Sequence, residues 1–281
     1  MSSKSTDPAY VLGRSKVEQR RLEEQGRFLR PSTERTFRAA GIGPGMRVLD
    51  LGCGVGDVTI LVAELVGPSG AVVGIDLDAD ALEVAEQRCA EMDIANVSFT
   101  HGDFRSAAFA GEFDAAVGRF VLMYQGDPTE ALRSVASNVR DGGIVAFQEL
   151  AADVSIWDVP NLPILTSVLR WKREAFARSG AHVNVGAELY WRMHDAGLIP
   201  YATPLAEVPL DIGPGSVVYQ RHAAVIRSVL PKIIEYGLAT ESEVDIETLE
   251  QRLREEALAE CATIPGDYLL VGQWAQKPTT V

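Results

Sequence analysis

Between residues 41 and 150, short apolar runs alternate with longer amphipathic stretches. The runs are Arg47 to Leu51, Ala71 to Asp76, Asn96 to His101, the strand and exit from Phe113 to Tyr124, and Ile144 to Gln148. Each is too short for a helix and is bounded by turn residues, the pattern of strands buried on both faces. The stretch from Val58 to Val66 is apolar almost all round, which predicts a helix packed on the sheet. Leu82, Ala85, Cys89 and Met92 form a helical stripe that puts Cys89 and Met92 in the core. Asp127 caps a further helix with Pro128 at its first position, and Leu132, Val135 and Val139 form its inner face. Five alternations of strand and helix predict an α/β fold with a doubly wound, mostly parallel sheet.

The flanks read differently. Tyr10 to Arg30 is a charged helical arm, and a second helix from Ser32 to Ala40 opens on Pro31 and stops at Gly41. After Leu150 come a helix from Leu162 to Ser179 with Leu165, Val168, Leu169 and Phe176 inward, and another from Gly186 to Ala196. Leu205 to Leu210 is a sixth strand. Two long helical segments follow, Ser216 to Tyr236 with a kink or restart at Pro231, and Asp245 to Ala262. Tyr268 to Trp274 is the seventh and last strand. The helical inserts are too long for plain crossovers and suit a cap over one end of the sheet. Three parts result: an arm over 1–40, a core over 41–150, and strands with a helical cap over 151–281.

Charge and cysteine content narrow the function. The net charge is −13 and the pI about 4.8, whereas nucleic-acid binding calls for a basic face. Cys53, Cys89 and Cys261 have no paired spacing, which fits a reducing, cytoplasmic setting. No apolar run approaches the ~18 residues of a membrane span, and no His, Cys, Asp or Glu set has metal-ligand spacing, so no required metal is expected.

The candidate chemistry centres on Val48-Leu-Asp-Leu-Gly-Cys-Gly-Val-Gly56. Gly52, Gly54 and Gly56 allow a sharp turn and a close ligand approach, and the next helix offers free N–H groups. Asp57 stands where a dinucleotide fold needs its third glycine. An acid ahead of the turn, Asp50, suits a ligand with a positive group, such as the ammonium of S-adenosylmethionine. Asp76 ends the second strand, 26 residues after Asp50, where a carboxylate accepts both hydroxyls of a ribose; Leu77 then lies against the adenine. In Gly102-Asp-Phe104 the carboxylate of Asp103 can accept from an exocyclic amine and the next N–H can donate to a ring nitrogen.

Together these segments resemble the class I S-adenosylmethionine-dependent methyltransferase family, over roughly residues 40 to 150. The resemblance implies a Rossmann-like, seven-stranded fold with S-adenosylmethionine as cofactor, bound by Asp50, Gly52, Cys53, Gly54, Asp76, Leu77, Gly102, Asp103 and Phe104. It implies that the exit of the fourth strand passes between the methionine end of the cofactor and the acceptor. Arg119 would there bind the methionine carboxylate or hold Asp50, and Tyr124 would reach the acceptor, where some quinone and phenol enzymes of the family carry a histidine. An arm ahead of the first helix often closes such a site, which would bring Tyr10 and Gln25 to the ligand.

The expected reaction is methyl transfer to a small organic acceptor, aromatic, quinone-like or a natural product, at oxygen or carbon. Oxygen and carbon acceptors usually need a base, and the candidates are His182, Tyr124, Glu149 and His222. The alternatives are a non-catalytic binding or scaffold protein, and an enzyme using a modified S-adenosylmethionine on the same fold. Neither a nucleic acid nor a membrane is an expected partner; a homodimer through arm or cap is.

Overall fold

The computed structural model describes residues 16–109, 111–153 and 162–279. Tyr10, Trp157 and Pro160 lie outside them. The chain order is α1 (Lys16–Ala39), β1 (Arg47–Leu51), α2 (Asp57–Val66), β2 (Ala71–Asp76), α3 (Ala79–Glu91), β3 (Val97–His101), β4 (Phe113–Arg119) and a 3-10 turn (Leu122–Tyr124). It continues through α4 (Pro128–Asn138), β5 (Val139–Ala151), α5 (Pro163–Arg178), α6 (Val185–Asp195), β6 (Ile199–Pro200) and β7 (Leu205–Glu207). Last come α7 (Val218–Glu235), α8 (Glu241–Val244), α9 (Leu249–Ala259) and β8 (Leu269–Gln276).

The sheet runs β3-β2-β1-β4-β5-β8-β6, with β7 also paired to β8. Its first five strands are parallel, and β8 is antiparallel to β5, β6 and β7. Strand order reverses between β1 and β4, so their carboxyl ends open a crevice at the switch point. Every strand–turn junction of the expected ligand site lies along that edge. The expected sixth strand is split: β6 and β7 are two short pieces on β8, which makes eight described strands rather than seven.

Other expectations are corrected. The arm is one helix through Pro31, not two. Proline removes one backbone donor and crowds the previous turn, but distant partners hold the helix here. Gln148 Nε2 donates to the Ser32 hydroxyl at 2.8 Å, the Thr33 hydroxyl stands 2.8 Å from Gln148 Oε1, and Arg119 Nη1 donates to that hydroxyl at 3.1 Å. The α1 side chains of this seam, Ser32 and Thr33, are buried, as is Thr36. The helix α7 likewise runs on through Pro231. Met92 is exposed at the end of α3, while Cys89 is core. The segment expected from Asp245 starts its helix at Leu249, after the one-turn α8, which Thr240 and Glu243 close with a reciprocal capping box.

Helices α5, α7 and α9 pack on one another, and α1 packs on α7 and α2. A Cβ on Gly26 of α1 would come within 2.4 Å of the Asp57 carboxylate oxygens, so glycine lets α1 lie directly over the start of α2. Residues of α1, α5 and α7 border the crevice at the carboxyl ends of the strands and cover it.

Candidate functional site

One cavity of about 590 Å³ occupies that crevice, within the ~300–1,000 Å³ usual for small-molecule sites. Its floor is the set of strand exits: Gly52 to Val55, Ile75 to Asp78, Gly102 to Arg105, Arg119 to Val121, and Leu150. Its roof is Glu18, Arg21, Leu22 and Gln25 of α1, Lys172 and Phe176 of α5, Val225 of α7, and Asp267 and Tyr268 ahead of β8.

At the glycine turn, Gly52 and Gly54 have φ of 59° and 50°, a left-handed region that side chains oppose. A Cβ on Gly52 would lie 2.9 Å from Val121, whereas one on Gly54 would meet nothing within 4 Å and would project into open space. Asp76 braces the turn. Its Oδ2 accepts from the Gly54 N–H at 2.8 Å and its Oδ1 from the Asp78 N–H at 2.9 Å. Burial raises its pKa, against those N–H bonds. Each oxygen keeps lone pairs for further donors. Leu77 is exposed on the rim, and Phe104 is buried behind it. The Asp103 carboxylate is already gripped by Arg105, whose Nε and Nη2 donate at 2.9 and 2.6 Å. Burial raises the Cys53 thiol well above its ordinary range, so it stays protonated.

Asp50 does not border the cavity. It is fully buried, with Oδ2 accepting from the Thr59 hydroxyl at 2.6 Å and Oδ1 without a hydrogen bond. Burial pushes its pKa to about 7, opposed by the Thr59 bond. Arg119 lies on the wall, its pKa lowered by burial and supported by the charges of Asp57 and Asp50.

Of the four base candidates, Tyr124 borders the cavity and the other three do not. Glu149 points instead at the 3-10 turn: its Oε1 accepts from the N–H groups of Val121 and Leu122, both at 2.8 Å. It thereby holds the turn that carries Tyr124. Burial raises its pKa to about 7, against those bonds. His222 is on the buried face of α7, its Nε2 2.8 Å from the Pro265 carbonyl, and burial lowers its pKa to about 3. His182 lies on the loop before α6, where its backbone N–H donates to the Met123 carbonyl at 2.8 Å. Gln25 borders the cavity.

The sequence reading missed Lys172, Asp267, Tyr268, Glu18 and Arg21. For Lys172 a signal existed: it continues the inward stripe Leu165, Val168, Lys172, Phe176 at helical spacing.

A family model described as a methyltransferase domain matches residues 42–183, and the chain belongs to that family. It is a class I S-adenosylmethionine-dependent methyltransferase. The demethylmenaquinone methyltransferase of Lactococcus lactis is 29% identical over 197 residues, which span 67% of this chain and 73% of that protein. The enzyme of that name from a Geobacillus strain is 36% identical over 117 residues, 41% of this chain and 50% of its own length. Among solved structures, the YcgJ protein of Bacillus subtilis superposes with a TM-score of 0.57 at 17% identity, covering 89% of this chain and all of that one. The [4+2]-cyclase SpnF superposes with a TM-score of 0.53 at 16% identity, covering 89% and 81%. At these identities the superpositions speak for the fold alone. The cavity fits the cofactor: the open cradle at Gly54 and the Asp76 carboxylate lie on one wall, with room above them.

Proposed function

We propose that this protein methylates a small organic acceptor, aromatic, quinone-like or a natural product, at oxygen or carbon. The observation that carries the reading is a roofed cavity, which runs from the glycine turn to an apolar and aromatic wall of Met123, Leu150, Phe176, Val225 and Tyr268. A roof of that kind suits a small acceptor better than a polymer, and the net charge of −13 points the same way. Relatives named demethylmenaquinone methyltransferase support a quinone-like ring as one acceptor class.

In this reading Asp76 accepts from the ribose hydroxyls while bracing Gly54, and Leu77, Asp103 and Phe104 receive the adenine. Arg119 faces the methionine carboxylate, and Gln25 closes the site from above. Asp50 acts from below the turn, through Thr59 and the local charge, not by touching the ligand. The cofactor, when bound, supplies a methyl group on a positive sulfur, already activated for transfer. The chain's part is to align the acceptor and exclude water, and Tyr124, held by Glu149 through the turn, is the polar group placed to orient the acceptor.

The test is release of S-adenosylhomocysteine from S-adenosylmethionine with a panel of phenols, hydroquinones and naphthoquinols. Acceptor-dependent release supports the reading. Tight cofactor binding with no release from any member would favour a non-catalytic binding protein.

A further inference from the structure

The roof of the cavity holds a charge that the cofactor reading leaves unused. Lys172 is only 3% exposed, yet it borders the cavity. Its ammonium has three donors. Among the described residues its hydrogen-bond acceptor is Asp267 Oδ1, at 3.4 Å, with the Tyr268 ring face 5.0 Å away. Asp267 is shared, because Arg221 Nη2 lies 3.8 Å from its other oxygen and its Oδ1 also accepts from the Tyr268 N–H at 3.0 Å. Against burial, the charges of Lys172 and Arg221 hold the Asp267 carboxyl below its ordinary range. His222, beside them, adds no charge at neutral pH. Glu18 and Arg21, the next pair along the roof, bond to each other at 2.6 and 2.9 Å. Two cations therefore share one carboxylate, in a buried place where an uncompensated charge is costly. Burial depresses the Lys172 pKa, with Asp267 opposing. An arriving anion would relieve that cost.

We propose that Lys172 is the docking cation for an anionic oxygen on the acceptor, an ionised phenol, enol or carboxylate. This rests on the methyltransferase reading and names the acceptor's chemistry. Asp267 holds the ammonium, Arg221 lies against the other oxygen of Asp267, and the acceptor's ring lies along Phe176, Val225 and Tyr268. In a chain of net charge −13, such an acceptor is held by a local cation and not by the overall field.

The test is calorimetry on the full chain saturated with S-adenosylhomocysteine. The probes are 2-naphthoate against its neutral carboxamide, and 4-nitrophenol under mildly alkaline against mildly acidic conditions. In the unaltered protein at least one anion should bind about tenfold or more tightly than its neutral partner. Lys172→Met should erase that preference and leave S-adenosylhomocysteine affinity within about twofold, and Lys172→Arg should keep most of it. Which anion is preferred separates the carboxylate from the phenolate source. Equal binding of anion and neutral probe, no binding of either pair, or a preference that survives Lys172→Met would overturn the proposal. So would a Lys172→Met protein that loses S-adenosylhomocysteine affinity selectively, since Lys172 would then hold the cofactor's own carboxylate. S-adenosylhomocysteine failing to bind the unaltered protein would instead sink the methyltransferase reading, and this proposal with it.

Discussion

Replacing Glu149 by glutamine should change how stability depends on pH, with little change to the site. The Glu149 carboxyl is completely buried, accepts two backbone N–H bonds at 2.8 Å through Oε1, and has no hydrogen bond to Oε2. Burial raises its pKa from the ordinary 4.5 to about 7. A carboxyl raised by folding binds more protons in the native chain than in the unfolded one. Its contribution is therefore fully favourable at low pH and is lost as the pH rises from about 4.5 to about 7. At ~1.4 kcal/mol for each tenfold change in proton affinity, the loss amounts to about 3 kcal/mol. Glutamine offers the same Oε1 to Val121 and Leu122, and its amide takes the place of the protonated oxygen. Urea denaturation across that window should show Glu149→Gln gaining on the parent with pH, ending about 3 kcal/mol ahead relative to its acid-side difference. The other raised carboxyls, Asp50, Asp57 and Asp76, are present in both proteins and cancel. A difference between the two proteins that stays flat from acid to alkaline would refute the burial argument. The 3-10 turn keeps its anchor, so cofactor affinity should hold.

Two more outcomes test the floor and the roof. Asp76→Ala should weaken S-adenosylhomocysteine binding about tenfold to several hundredfold, the worth of one or two charged hydrogen bonds to the ribose, with the far-ultraviolet circular dichroism unchanged; undiminished affinity would sink the ribose assignment. Thr33→Val strands Gln148 Oε1 and Arg119 Nη1 in a buried seam, so unfolding should be easier by about 1–3 kcal/mol; an unchanged melting curve would mean that the seam does not hold α1 down.

What was legible in the sequence was local. Strand β1, the glycine turn and α2 are adjacent in the chain, and the turn's backbone needs glycine whatever surrounds it. Asp76, Gly102 and Asp103 end strands of the same parallel sheet, so topology alone brings them to one edge. What was not legible depends on partners far along the chain. Pro31 reads as a helix start, yet α1 passes through it because Ser32 and Thr33 meet Gln148, 115 residues away in the case of Thr33. Glu149 reads as a base at the end of a strand, but a carboxylate there can face either the cavity or the N–H groups of the neighbouring turn. The geometry of the turn decides for the N–H groups. His222 reads as a histidine on an apolar stripe, and the Pro265 carbonyl gives it a structural bond instead of a reactant. Lys172 lay in plain view on an apolar stripe, where a charged residue marks either a misread face or a partner inside. Met92 belongs to the stripe of α3 by spacing alone; the helix ends at Glu91, so that phase no longer governs it.

The most direct test of the central claim is an isothermal titration of S-adenosylhomocysteine into the unaltered protein, followed by S-adenosylmethionine. The geometry of the glycine turn and Asp76 predicts one site per chain with micromolar or tighter affinity for both. The absence of heat and of competition with either compound would contradict the assignment of the cavity as the cofactor site.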